Sequence, residues 1–189
     1  MLRLTIVLCC SLLLTGLPAA ATQIAGVEIP DALAPASGAP ELLLNGAGIR
    51  KKFFMDIYIG ALYLPARTPD VRAILSDTGP ASVLMYFMRG EVSKDKITGG
   101  WNDGLEKNLS KEDMQAIAAR LEQFNSYFQT VHEGDTIRID YQPATGTTVR
   151  INGESRGVVT GNDFFRFLLR VWLGSKPVSK SLKQDMLGN

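Results

Sequence analysis

Cysteine is almost missing from this sequence, and the two residues present, Cys9 and Cys10, both lie inside the N-terminal apolar run Leu4–Leu17. If that run is removed no thiol remains, which excludes disulfides and thiol catalysis. Histidine is equally scarce, with His132 standing alone. One imidazole without cysteine cannot build a structural zinc site, so no metal is expected. Placed between a helix and a strand, His132 reads first as a cap, with a single axial haem ligand as the weaker alternative. The usual nucleophile and nucleotide signatures are also missing. There is no G-x-S-x-G and no P-loop, and Gly46-Ala47-Gly48 runs into Ile49-Arg50-Lys51 without the third glycine of a dinucleotide loop. Strong charge of either sign is lacking too: the formal net charge is +1, with Lys and Arg spread along the chain, so nucleic acid is excluded as a partner. No repeat and no low-complexity segment interrupts the pattern.

What is present is ordinary globular material. The 189 residues are 46% hydrophobic and 21% charged, enough for one core without staples. Met1-Leu2-Arg3, the apolar run and Ala19-Ala20-Ala21 have the three parts of a signal peptide, with cleavage expected after Ala21 or, as a near alternative, Ala20. The run is too short for a comfortable membrane span, so no stable span is expected after cleavage. Loss of Arg3 brings the formal charge to zero, and a periplasmic or secreted location follows.

Residues 22–40 read as an edge strand around Val27 and Ile29 followed by an Ala/Pro/Gly-rich connector from Pro30 to Pro40, and residues 41–189 as the main domain. Two strands are expected next, Glu41–Gly48 and Lys52–Leu64, with Arg50, Lys51 and Lys52 at their junction. Glycines beside a strand mark a bulge or a close backbone approach. A short helix over Pro69–Ser76 precedes a continuous apolar strand, Ala81–Met88. Ile97, Trp101, Leu105 and Leu109 recur every four residues over Ser93–Asn108, one helical stripe weakened by Gly99, Gly100 and Gly104. Ser110 with Asp113 opens a second amphipathic helix carrying Met114, Ile117, Leu121, Phe124 and Phe128. An antiparallel meander follows over residues 136–159, its clearest turn being Asn152-Gly153. Asn162 then caps a helix through Trp172 that Gly174 closes, and a short tail helix carries Leu182 and Met186. The fold class is therefore α+β, an antiparallel sheet with helices layered on one face.

The chemistry left to such a chain is recognition. Arg50 offers a fixed fork of donors suited to a carboxylate, and tyrosine hydroxyls nearby, Tyr58 and Tyr63, can add a directional bond, with Lys52 as a further cation. Apolar walls with one charged anchor describe a pocket for a small apolar acid or a phenolic ligand, with no cofactor.

Gly46-Ala47-Gly48-Ile49-Arg50, followed by a strand ending Ile59-Gly60-Ala61-Leu62-Tyr63-Leu64, resembles the chalcone isomerase fold family. The order of the remaining segments agrees: an apolar strand, the helix start Ser93-Lys94-Asp95-Lys96-Ile97-Thr98, a Gly-Thr hairpin and the closing Trp172-Leu173-Gly174-Ser175-Lys176-Pro177. The likeness is greatest to the secreted bacterial branch of this family. It implies an open-faced sheet with helices on one side and an active-site arginine at Arg50, the residue that fatty-acid-binding relatives use, with a tyrosine, to hold a carboxylate. The enzymes' threonine falls at Ile57 or Tyr58, and their catalytic tyrosine and asparagine near Ser93 and Gly100. Only the arginine of the catalytic set is kept, so the resemblance implies a non-catalytic binder. An intramolecular lyase or isomerase acting on a chalcone-like ketone is the alternative, and a structural or interaction module a weaker one.

Overall fold

The computed structural model describes residues 20–33 and 41–189. The expected signal segment up to residue 19 and most of the connector lie outside the described residues.

Strands β1 (Ala21–Ile24) and β2 (Val27–Pro30) form a hairpin. Ala25 and Gly26 close it with φ of 49° and 82°, the paired positive angles of a tight hairpin turn. Because alanine seldom takes that conformation, the sequence reads as one edge strand where there are two. Ala21 pairs with Pro30, so cleavage after Ala20 leaves β1 whole, whereas cleavage after Ala21 shortens it.

A seven-stranded antiparallel sheet forms the body. Its members are β3 (Ala32–Leu33), β4 (Leu42–Lys52), β5 (Met55–Leu64), β6 (Ala81–Phe87), β9 (Thr136–Gln142), β10 (Gly146–Ile151) and β11 (Glu154–Val159). The spatial order is β11-β10-β9-β6-β5-β4-β3. Two short strands, β7 (Glu91–Val92) and β8 (Val131–His132), pair separately. The helices are α1 (Val71–Ser76), α2 (Lys94–Glu106), α3 (Lys111–Ser126), α4 (Phe164–Leu173) and α5 (Lys180–Met186). None among the described residues is long and apolar enough to cross a membrane.

Strand alternation sorts the sheet's side chains into two cores. Leu62, Val83, Met85, Ile137, Ile139, Tyr141 and Val149 face the helices, where Ile117, Phe124, Phe164, Leu168 and Trp172 meet them. Ile59, Ala61 and Tyr63 face the other way and are covered, with Leu42 and Leu44, by Ile24, Val27 and Ile29 of the N-terminal hairpin. Helices thus layer one face, and the hairpin covers part of the other. This double cover explains why β5 is buried from Ile57 to Leu64 without a break.

Helix starts follow their caps: Asp70, Ser93, Ser110 and Ser179 each accept a backbone N–H of the first turn. Two expectations are corrected. Helix α4 begins after Asp163 rather than Asn162, and the Asp163 carboxylate receives both Nη1 and Nη2 of Arg120, at 2.5 and 2.8 Å, instead of capping the helix. The cationic triplet does not separate two strands. Strand β4 runs through it to Lys52, and the chain turns at Phe53-Phe54, with Phe53 at φ 56°. A turn built on two phenylalanines carries none of the Gly, Asn or Asp signals that mark hairpins, and so it was invisible to pattern.

Candidate functional site

Gly46, Gly48 and Arg50 occupy alternate positions of β4 and therefore share the helix-bearing face. Opposite them in β5 stand Leu62, Gly60 and Tyr58. The register slips twice along this pair: Asn45 is an extra residue on β4, and Ile57 one on β5. At the first bulge Asn45 donates to the Met186 carbonyl at 2.8 Å and accepts from Thr68 N at 2.7 Å, which ties β4 to α5. The two glycines make room for the same helix. A Cβ on Gly46 would overlap the Asp185 carbonyl and lie 2.8 Å from Gly188 N, and one on Gly48 would overlap the Asp185 side chain. Helix α5 thus covers the strand over its glycines, and Arg50 is two residues farther along. At the second bulge Ile57 loses its alternation and joins Tyr58 on the helix side.

Arg50 and Tyr58 line a cleft of about 540 Å³, within the size range of small-molecule sites. Phe87 of β6, Ile97 and Trp101 of α2 and Val171 of α4 supply apolar walls. Lys52, Arg89, Glu91, Asp95, Lys96 and Asp103 are its other charged residues beside Arg50. Gly99 and Gly100 of α2 border it with open space at their Cβ positions. Gly104, one turn on, allows α2 to approach α4, since a Cβ there would lie 2.8 Å from Val171 Cγ1.

Tyr58 is 5% exposed, and its hydroxyl accepts from Trp172 Nε1 at 3.0 Å. Burial raises the phenol's pKa against the opposing pull of Arg50 and the Trp172 bond. The group therefore stays protonated near neutral pH and keeps its own proton free to donate. The Arg50 guanidinium carbon lies 5.6 Å from the centroid of the Tyr58 ring, a cation–π contact. Two buried N–H groups of cleft residues have no acceptor within the described chain: Arg50 Nε and Trp101 Nε1. Both side chains can only donate. What would satisfy them is an acceptor.

The residues expected from sequence are placed as follows. Arg50, Tyr58 and Lys52 meet at the cleft, Lys52 at an exposed position. Tyr63 does not join them. It lies on the opposite face, fully buried, with its hydroxyl donating to the Pro30 carbonyl at 2.9 Å. Ser93 caps α2, and Ile57 lines the cleft. His132 is exposed in β8, its ring nitrogens 3.8 Å from Glu91 and Asp135 carboxylate oxygens. Among the described residues no three His, Cys, Asp or Glu side chains gather as metal ligands. Sequence reasoning missed Trp101, Phe87, Val171 and Trp172, which read as core. Nothing local marks Trp172 as the partner of Tyr58, a residue 114 positions away.

Over residues 21–188 the sequence matches the family described as chalcone isomerase-like. The chain belongs to the chalcone isomerase-like family. Its fold is similar to that of a crystal structure of a fatty-acid binding protein from Arabidopsis thaliana, with a TM-score of 0.62, 18% identity and coverage of 86% of this chain and 92% of that one. At that identity the likeness speaks for the fold alone. No curated protein sequence matches the chain. In this chalcone isomerase-like chain the cleft therefore lies between the end of the β4–β5 pair and helices α2 and α4, on the helix-bearing side of the sheet.

Proposed function

We propose that the protein binds a small apolar carboxylic acid, such as a fatty acid, in this cleft without transforming it. The observation that carries the reading is the pair of donors, Arg50 Nε and Trp101 Nε1, buried without acceptors among apolar walls. A carboxylate in the cleft supplies an acceptor to the Arg50 guanidinium, and charge assistance makes such bonds strong. Tyr58, protonated and already fixed by Trp172, adds a neutral donor. The hydrocarbon part of the ligand then lies against Ile57, Phe87, Ile97 and Val171. The fatty-acid binding protein of similar fold supports the same ligand class.

Ring closure of a chalcone needs a stabilised phenolate and a polarised ketone. The positions that resemblance assigns to this work hold Ser93, whose hydroxyl accepts the Lys96 N–H, and Gly100, which has no side chain. This favours binding over turnover. Export through the N-terminal apolar segment, into a periplasm or outside the cell, belongs to the same reading.

The test is mass spectrometry of organic extracts from the purified protein beside an Arg50→Ala control. An apolar acid enriched with the wild type and lost from the variant supports the proposal. An empty wild type whose melting is unmoved by a fatty-acid series overturns it, and turnover of a chalcone panel that Arg50→Ala abolishes would establish the isomerase instead.

A further inference from the structure

The tip of the β4–β5 hairpin carries an aromatic pair that the core does not use. Phe53 is 82% and Phe54 102% exposed, followed by Met55 at 38%. Among the described residues the only other exposed large hydrophobic side chain is Leu43, at 36%. Local preference also opposes phenylalanine here: with φ at 56°, position 53 has the conformation that Asn, Asp or Gly takes with least strain. Neither burial nor turn chemistry explains the pair. Around it stand three cations, Lys51, Lys52 and Arg89. Lys51 reaches Asp56 at 3.3 Å with both side chains more than a third exposed, Arg89 Nη1 lies 2.6 Å from Met55 Sδ, and Lys52 is exposed. Lys52, Phe53, Met55 and Arg89 also line the cleft, together with the acids Glu91 and Asp95.

We propose that this tip docks on the surface of an anionic lipid bilayer. Phe53 and Phe54 enter the interface, Lys51, Lys52 and Arg89 meet the phosphate-bearing headgroups, and the mouth of the cleft opens against the membrane. Phenylalanine side chains bury at the boundary of headgroups and acyl chains, and each cation near an anionic surface strengthens binding about fivefold. The size of the patch also separates lipid from protein. Two phenylalanines offer about 150–250 Å² each, well short of the about 800 Å² per partner of a stable protein interface. A narrow apolar tip with cations beside it suits a headgroup layer, which it can enter rather than cover. The consequence, that an apolar acid passes between bilayer and Arg50 without crossing water, rests on the proposed function; the docking does not.

The experiment uses protein expressed from the full chain and recovered as the host cell processes it. It is mixed with phosphatidylglycerol–phosphatidylethanolamine vesicles or with phosphatidylcholine vesicles, and no fatty acid is added. Native Trp101 and Trp172 are 4% and 1% exposed, so Phe54→Trp adds the one solvent-facing indole. With anionic vesicles its emission is expected to shift to shorter wavelength and to be quenched by brominated acyl chains. The double change Phe53→Ser/Phe54→Ser is expected to lower partitioning at least tenfold, and Lys51→Gln/Lys52→Gln by about 25-fold, about fivefold for each cation. Melting temperatures report that these exposed positions leave the fold intact. An indole at position 54 that stays water-exposed with anionic vesicles overturns the proposal. So does one that shifts with protein concentration in the absence of lipid, which would assign the tip to a second copy of the chain. Since no apolar acid is added and the indole at position 54 reports the tip rather than the occupancy of the cleft, failure here leaves the ligand reading of the cleft standing.

Discussion

Replacing Tyr58 by phenylalanine separates the roles of ring and hydroxyl in the cleft. The ring beneath Arg50 stays, and so does its packing on Phe87, whose centroid is 5.8 Å away. What is lost is the acceptor of Trp172 Nε1. Trp172 is 1% exposed, so its N–H remains buried with no partner. A buried donor stranded in this way costs about 1–3 kcal/mol, equivalent to a fall of about 2–12 °C in Tm for a chain of this size. Removing the buried hydroxyl itself relieves part of that cost, which favours the lower half of the range. The chain has two tryptophans, so an amide–indole NMR spectrum has two side-chain signals to follow. The Trp172 indole resonance is expected to move upfield in Tyr58→Phe while that of Trp101 stays. On adding a fatty acid to the wild type, the Trp101 resonance is the one expected to move. An unchanged Tm together with an unmoved Trp172 signal would refute the reasoning.

Other substitutions test the remaining parts of the arrangement. Arg50→Ala is expected to weaken fatty-acid affinity about 10- to 150-fold, the worth of hydrogen bonds to a charged group, as read by calorimetry. Arg50→Lys should fall between, because it keeps the charge and loses the fork. Gly46→Ala forces α5 away from β4 and exposes Leu182 and Met186, both fully buried, at a cost of roughly 3 kcal/mol or more in urea unfolding. Gly99→Ala, with open space at its Cβ, is expected instead to stabilise by about 0.5–1 kcal/mol. Asp163, held below the usual carboxylate range by its Arg120 bonds, contributes stability that is present above the unfolded pKa of about 3.9 and is lost as pH falls through the lower folded value. With its side chain 46% exposed, Asp163→Asn should cost no more than about 1 kcal/mol at pH 7, and the gap to wild type should close as pH drops below about 4. A gap that widened on acidification would contradict the assignment.

Much of the fold was legible because burial repeats at the period of the local structure. Ile137, Ile139 and Tyr141 alternate and are buried in β9, and Ile117, Leu121 and Phe124 recur at helical spacing and are buried in α3. Caps were legible where the side chain serves only the local backbone, as Ser93 and Ser110 do. Asn162 misled because its neighbour Asp163 is claimed by an arginine 43 residues away. The boundary between β4 and β5 was misread for a related reason. The bulges at Asn45 and Ile57 and the Phe53-Phe54 turn answer to α5, the cleft and the solvent, and nothing in their own residue types announces them.

By itself the sequence determined the α+β class and the order of the main elements and pointed to Arg50 as the candidate anchor, since each depends on periodicity, turn residues or a motif readable within a few positions. Only the tertiary structure decided which tyrosine serves the cleft. Tyr58 and Tyr63 are five residues apart on one strand, and odd spacing on a pleated strand sends them to opposite faces. Which face meets the helices depends on contacts from far along the chain: Trp172 at the Tyr58 hydroxyl, Pro30 at the Tyr63 hydroxyl, and α5 over the glycines of β4. Those contacts exist only once distant segments have packed, because a hydrogen bond or a close approach is a property of the pair and not of either residue.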